Sequence, residues 1–172
     1  MIIYPKESNE TYKNRGLAFE SLINITNENY LKNNICLINK RPTPIKVIEL
    51  DKNKNLITKA TFLKQSTTDY NGLYKGKYID FEAKSTHSKT SFPLKNIERH
   101  QINHLENVLN NNGIAFFLIQ FSSLNEVYLL MAEKLLTFLK ENKRSSLPLE
   151  YIKENGFLLK SSLKYPIDYI SI

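Results

Sequence analysis

The chain has one cysteine, five glycines and six prolines in 172 residues. A lone Cys36 excludes an intrachain disulfide and fits a reducing compartment. No repeat or low-complexity tract interrupts the chain. No apolar run approaches the roughly 20 residues that a membrane-spanning helix needs. The opening MIIYPKESNE lacks a basic stretch followed by a long apolar one, so a signal peptide is not expected and a cytoplasmic protein is. Acidic residues are in deficit: 17 Asp and Glu stand against 24 Lys and Arg, a net charge of +7. That balance favours a polyanionic partner, because lysines and arginines that neutralise phosphates release condensed counterions.

What is present is the material of a single globular domain, 41% hydrophobic and 24% charged, long enough to bury a core. NRGLAFESLINITNENYLKNN reads as an amphipathic helix with Leu17, Phe19, Ile23 and Tyr30 toward one side and Asn14 as its cap. ICLINK is a short strand, and RPTP interrupts regular pairing. IKVIEL and LITKATFLKQ, joined by DKNKN, read as a hairpin. It carries Lys46, Lys52, Lys54, Lys59 and Lys64, has few apolar residues to bury on one face, and is expected to project from the body. A helix follows over residues 93–111, closed by Gly113. GIAFFLIQF has the continuous apolar character of a strand covered on both faces. EVYLLMA reads as a strand, AEKLLTFLKEN as a helix, LPLEYIKENG as a short helix and YPIDYISI as a terminal strand. The expected fold is a mixed α/β sheet flanked by helices.

The chemistry concentrates in TTDYNGLYKGKYIDFEAK, where Asp69 stands thirteen residues before Glu82 and Glu82 two before Lys84. On a strand, side chains alternate, so Tyr78, Asp80, Glu82 and Lys84 share one face and Ile79, Phe81 and Ala83 the other. Glu82 and Lys84 then stand about 6–7 Å apart. If the DYNG stretch turns and the strand returns, Asp69 comes to lie beside Glu82. Paired carboxylates repel unless a cation sits between them, and hard oxygen ligands suit Mg²⁺. A neighbouring lysine can stabilise developing negative charge. Together these make a metal-assisted phosphodiester hydrolysis site. The same strand face would serve equally as a solvated surface with a weak ion pair, and Asp80 with Glu82 is an alternative carboxylate pair. In the following helix Gln101 falls within the stripe of Ile97, Leu105, Val108 and Leu109, its carbonyl oxygen facing the sheet toward a metal, a water or a backbone partner. Glu20 is placed as ambiguously beside Phe19 and Ile23. His100 and His104 lack a third ligand of matching character and read as a polar helix face.

NRGLAFE, INKRPTPIKVI, FLKQSTTDYNGLYKGKYIDFEAKSTHSKTSFPLKN, HQINHL and YPIDYIS resemble, in order and over nearly the whole chain, the RecU family of bacterial Holliday junction resolvases. The resemblance implies a restriction-endonuclease-like nuclease fold with a protruding β stalk. It also implies a homodimer that cuts four-way DNA junctions symmetrically with Mg²⁺, for which Mn²⁺ can substitute, in recombination and DNA repair. Recombinase and branch-migration helicase partners belong to the same expectation; a membrane does not. Thr67, Asp69, Glu82 and Gln101 match the family's metal-binding positions, Lys84 its transition-state lysine, Glu20 a helix acid near the site, and residues 42–65 the stalk. The preference falls on Asp69 over Asp80 as the partner of Glu82. Charge and placement nominate Arg15, Arg41, Lys46, Lys64, Lys75 and Lys77 for DNA backbone contacts. One departure is that residues 1–11 are short and weakly basic where many relatives carry a longer basic arm. Two rivals remain: a nuclease of the same fold acting on linear duplex or flaps, and a non-catalytic junction-binding or recombinase-modulating protein.

Overall fold

The hydrophobic patterns resolve into fifteen elements in a computed structural model that describes residues 12–63 and 67–171, with side chains from Gly16 onward. In chain order they begin with α1 (Tyr12–Lys32), β1 (Leu37–Lys40), β2 (Ile45–Asp51), β3 (Leu56–Phe62), β4 (Tyr70–Tyr74) and β5 (Lys77–Thr86). After β6 (Ser91–Pro93) and a 3₁₀ turn (Leu94–Asn96) come α2 (Arg99–Asn110), β7 (Ile114–Phe121) and β8 (Glu126–Met131). The chain closes with α3 (Ala132–Glu141), β9 (Ser146–Pro148), α4 (Leu149–Asn155) and β10 (Phe157–Leu158).

Six strands form the main sheet in the order β1-β4-β5-β7-β8-β10. The β5–β7 pair is parallel and every other neighbouring pair antiparallel. The mixed sheet flanked by helices is therefore as expected. In β7, Phe116 and Leu118 enter the core beneath α1, while Ala115, Phe117, Ile119 and Phe121 enter the core beneath α2, α3 and α4. This explains its unbroken apolar sequence: neither face meets water.

Aromatic rings tie the strands that matter most for function. Tyr70 stacks on Phe81 at 4.8 Å between centroids and Phe81 on Phe116 at 4.7 Å, one ring each from β4, β5 and β7. The register follows, with Tyr70 opposite Phe81 and Phe81 opposite Phe116. Cross-strand aromatic pairs of this kind hold neighbouring strands in step.

Several local expectations are corrected. Helix α1 already includes Tyr12, so Asn14 lies inside it and is not its cap. Phe19, Ile23 and Tyr30 are buried, but Leu17 is 52% exposed and lies off the buried side. The segment expected as one helix over 93–111 begins with β6 and the 3₁₀ turn. Helix α2 starts only at Arg99, where Glu98 and Gln101 form a reciprocal capping box. At its far end Asn112 adopts φ 61°, the Gly113 amide bonds the Val108 carbonyl, and the Asn112 amide bonds that of Leu109. This is a Schellman cap in which the asparagine takes the left-handed position. Gly113 is needed for space, since a Cβ there would meet Val108 Cγ1 at 2.6 Å.

DYNG is no turn; it runs into β4, and the reversal occurs at Lys75 and Gly76, with φ 47° and 76°. Two successive left-handed residues make the two-residue connection that suits the twist of a hairpin. YPIDYISI forms no terminal strand. Its backbone instead bonds α1, with the Ile167 amide on the buried Thr26 hydroxyl at 3.0 Å and the Tyr169 amide on that of Tyr30 at 2.9 Å.

β2 and β3 pair only with each other in a two-stranded sheet of their own. Every side chain of the two strands is exposed apart from Asp51, which is half-buried. The hairpin is richer in apolar side chains than expected: Ile45, Val47, Ile48, Leu50, Leu56, Ile57 and Phe62 are all at least 42% exposed. Among the described residues, no helix is long and apolar enough to cross a membrane.

Gly72, in β4, leaves no room for a side chain: a Cβ there would meet the Leu37 carbonyl oxygen at 1.9 Å. Gly16 in α1 has nothing within 4 Å of such a Cβ. Gly72→Ala is expected to destabilise the protein by on the order of 1–3 kcal/mol, and Gly16→Ala to stabilise it by about 0.5–1 kcal/mol. Urea denaturation of both variants checks the pair.

Candidate active site

With Tyr70 opposite Phe81, the next step along both strands sets Asp69 against Glu82. Both side chains leave the sheet on the α2 side. The Asp69 amide donates to Glu82 Oε2 at 3.0 Å, and the Ala83 amide donates to Asp69 Oδ2 at 3.1 Å. The Glu82 carboxylate is thus fixed by the Asp69 amide, and the Asp69 carboxylate by the amide of Ala83, the residue after Glu82. Lys84 follows on the same face and pairs with Glu82 Oε1 at 2.7 Å. From α2, Gln101 Nε2 donates to the same oxygen at 2.5 Å. Asp69, Glu82, Lys84 and Gln101, nominated from sequence, therefore come together.

Gln101 reaches the site in the opposite sense to the one expected. Its carbonyl oxygen accepts from the Glu98 amide at 3.0 Å, closing the capping box, and its NH₂ faces Glu82. A backbone N–H needs an acceptor, so the amide orientation is settled by the helix start. Thr67 is drawn aside as well: its hydroxyl accepts from Arg41 Nη1 at 2.6 Å.

Burial dominates the electrostatics. Glu82 is 1% exposed. Its carboxyl is pushed up to about 8, first by burial and then by the charge of Asp69, with Lys84 pulling the other way. Burial likewise raises the Asp69 carboxyl, against the pull of the Ala83 amide and Lys84. A pair of acids held so close, in so little water, with one lysine between two potential charges, lacks positive charge. Two hard oxygen donors and a charge deficit fit a divalent cation that keeps most of its own water. Among the described residues no group of three or more His, Cys, Asp or Glu comes together as a closed cage.

Asp80, the alternative partner of Glu82, is wholly committed elsewhere. It is 0% exposed and accepts hydrogen bonds from Arg41, Thr68, Tyr78 and His104. This cluster is what sequence reading missed. His104 looked like a surface histidine, and Arg41, expected on DNA, turns its guanidinium into the fold. The one available signal was an aspartate on the face of β5 that carries Glu82. Glu20, from α1, pairs with Lys40 and presents its backbone carbonyl to the Tyr70 hydroxyl. Lys46, Lys75 and Lys77 are exposed. The side chain of Arg15, Lys64 and the arm at residues 1–11 lie outside the described residues.

The architecture, a mixed sheet flanked by helices, has a counterpart among solved structures. It is shared with Hjc, a Holliday junction resolvase of Archaeoglobus fulgidus, at a TM-score of 0.50 and 10% identity over 83% of this chain and 95% of that one. The family model described as Recombination protein U matches residues 14–172. A Streptococcus agalactiae protein named Holliday junction resolvase RecU is 44% identical over 97% of this chain and 86% of its own. One of the same name from Lactococcus lactis subsp. cremoris is 49% identical over 92% of this chain and 76% of its own. The chain belongs to the RecU family.

The raised carboxyl of Glu82 has a measurable consequence. Because its folded value of about 8 exceeds the ordinary 4.5, its contribution to stability is full below the lower value and is lost as pH rises through the higher. In EDTA, wild-type stability should fall across that window by on the order of 2–4 kcal/mol. Glu82→Gln should flatten the slope, and denaturant melts across the same pH range check it.

Proposed function

We propose that the protein is a divalent-cation-dependent endonuclease that resolves four-way DNA junctions by paired, symmetric nicks in recombination and DNA repair. The observation that carries this reading is the buried Asp69–Glu82 pair with Lys84 on Glu82, set in a RecU-family fold. A protein that only bound a polyanion would gain nothing from burying two acids where phosphate must approach. Mg²⁺, with Mn²⁺ as substitute, is the cation that suits two carboxylate oxygens and a phosphate. Held by Asp69 and Glu82, it would neutralise the pair and polarise the scissile phosphate.

The chain's own residues do the rest. Lys84 sits where charge builds on the phosphoryl oxygens and offsets it. Gln101 restrains Glu82 through its NH₂, and the Ala83 amide restrains Asp69, so little reorganisation is needed when substrate arrives. Thr67, which matches a family metal position, would act on a cation only indirectly in this reading, since its hydroxyl accepts from Arg41.

The chain acts as one nuclease domain with residues 42–65 as a stalk, in a homodimer in the cytoplasm. A two-fold dimer matches the symmetry of a four-way junction and presents one site to each of two strands. The exposed apolar side chains of the hairpin, with Leu37 on the edge strand and Leu73 opposite it on β4, offer surface for a second copy. Lys46, Lys64, Lys75, Lys77 and Arg15 supply phosphate contacts.

Incubated with Mg²⁺, wild type should cut a synthetic four-way junction at paired positions and leave linear duplex of the same sequence intact. Glu82→Gln should bind the junction and fail to cut it, and Lys84→Ala should cut roughly 10²–10³-fold more slowly. Binding without cutting in either Mg²⁺ or Mn²⁺ would turn the assignment to a junction-binding protein. Affinity should fall steeply with salt, and Lys46→Ala and Lys75→Ala should each lower the logarithmic salt slope by about 1.

A further inference from the structure

The Asp80 cluster lies outside the carboxylate pair, yet it touches every element that positions the pair. Its carboxylate takes four donors from four places in the chain. Arg41 comes from the link between β1 and β2, Thr68 from the approach to β4, Tyr78 from β5 at 2.8 Å, and His104 from α2 at 2.9 Å. An ionised aspartate only accepts, so each donor is directed inward onto one point. Glu82 lies two residues further along the same face of β5. Gln101 lies one turn before His104 on α2.

Arg41 extends this point toward the rest of the site and toward the hairpin. One arm of its guanidinium meets Asp80, and the other donates to Thr67 Oγ1 at 2.6 Å. Its backbone amide donates to the Asp69 carbonyl at 2.8 Å. Arg41 is also the last residue before Pro42 and the stiff route into β2. The root of the hairpin is closed by the Leu63 amide on the Pro44 carbonyl at 3.1 Å. The guanidinium is a planar fork whose two arms keep a fixed angle, so it holds Asp80 and Thr67 in one relation, while the Arg41 backbone ties Asp69 to the start of the route into the hairpin.

Resting on the functional reading above, we infer that Asp80 and Arg41 are a positioning pair that couples the hairpin to the spacing of Asp69 and Glu82. Neither residue touches the reacting phosphate. Arg41 is thereby a joint between the part that reads a branched DNA and the part that cuts it, and not a contact to the DNA backbone. A linear duplex that leaves the hairpin unengaged leaves the joint unloaded.

The test compares wild type, Arg41→Lys, Asp80→Asn and the double variant, each at a temperature well below its own melting point. Two quantities are read: junction affinity, with its salt slope, and the single-turnover cutting rate at saturating protein. Arg41→Lys keeps the charge and loses the fork; Asp80→Asn keeps the size and turns an acceptor into a donor. Each should bind the junction within about threefold of wild type and cut it about 10–100-fold more slowly. The double variant should be no slower than the slower single, because the two act as a unit.

Weaker binding and a lower salt slope for Arg41→Lys, with the saturating rate intact, would make Arg41 a DNA contact and overturn the inference. Rate losses that multiply in the double variant, or that vanish when a stabilising osmolyte restores the melting point, would overturn it too. Failure of wild type itself to cut would overturn the functional reading and, with it, the inference.

Discussion

The structure turns on two acids kept so close together and so far from water that burial, joined at Glu82 by the charge of Asp69, holds both carboxyls above their ordinary values. Asp69 and Glu82 are set opposite each other by the β4–β5 register, and each accepts from the backbone of the strand that carries the other. A slip of one residue would send Glu82 to the α1 face and bring Phe81 to the site, because side chains alternate strictly. The Tyr70–Phe81–Phe116 stack opposes such a slip. The hydrophobic core on one face of the sheet thus maintains an energetically unfavourable arrangement on the other. A divalent cation held by Asp69 and Glu82, as proposed above, would relieve that arrangement without the protein having to rearrange.

Much of this was legible in the residues. The alternation in GKYIDFEAK correctly separated the apolar face from the charged one, and GIAFFLIQF announced a strand with no wet side. Spacing allowed Asp69 to lie beside Glu82 but left Asp80 as a rival; the family resemblance favoured Asp69, and the turn was placed wrongly. DYNG has the composition of a reversal, but the backbone reverses at Lys75–Gly76, where a left-handed lysine was not foreseeable from propensity. Helix α2 was begun too early because Pro93 suits a first helical position. The capping box at Glu98 and Gln101 decided otherwise, and it also decided which end of the glutamine amide reaches Glu82. The YPIDYISI segment has strand composition, yet hydroxyls from α1 capture its amides. The first two of these misses are local choices between competing turn and cap signals; only the last depends on partners distant in sequence, Thr26 and Tyr30.

The Asp80 cluster is the clearest case. Four donors converge from residues 41, 68, 78 and 104, and no window of sequence contains them together. A buried acid with four donors is costly to assemble and more costly to break, since removing one partner strands the others. Such clusters are better at specifying one arrangement than at adding stability, which suits a junction between sheet, helix and hairpin. The hairpin, by contrast, buries almost nothing of itself. Its apolar and basic side chains make sense only against something outside the chain. The rigid core and the exposed arm then have complementary duties, and Arg41 stands where they meet.

The most direct test of the central claim is the position of a bound cation. Crystals soaked in Mn²⁺ would give anomalous difference density that locates the ion without reference to activity. The account predicts a peak coordinated by carboxylate oxygens of both Asp69 and Glu82, with Asp80 still held by Arg41 and His104. A peak at Asp80, or no peak at the Asp69–Glu82 pair with Mn²⁺ in excess, would contradict it.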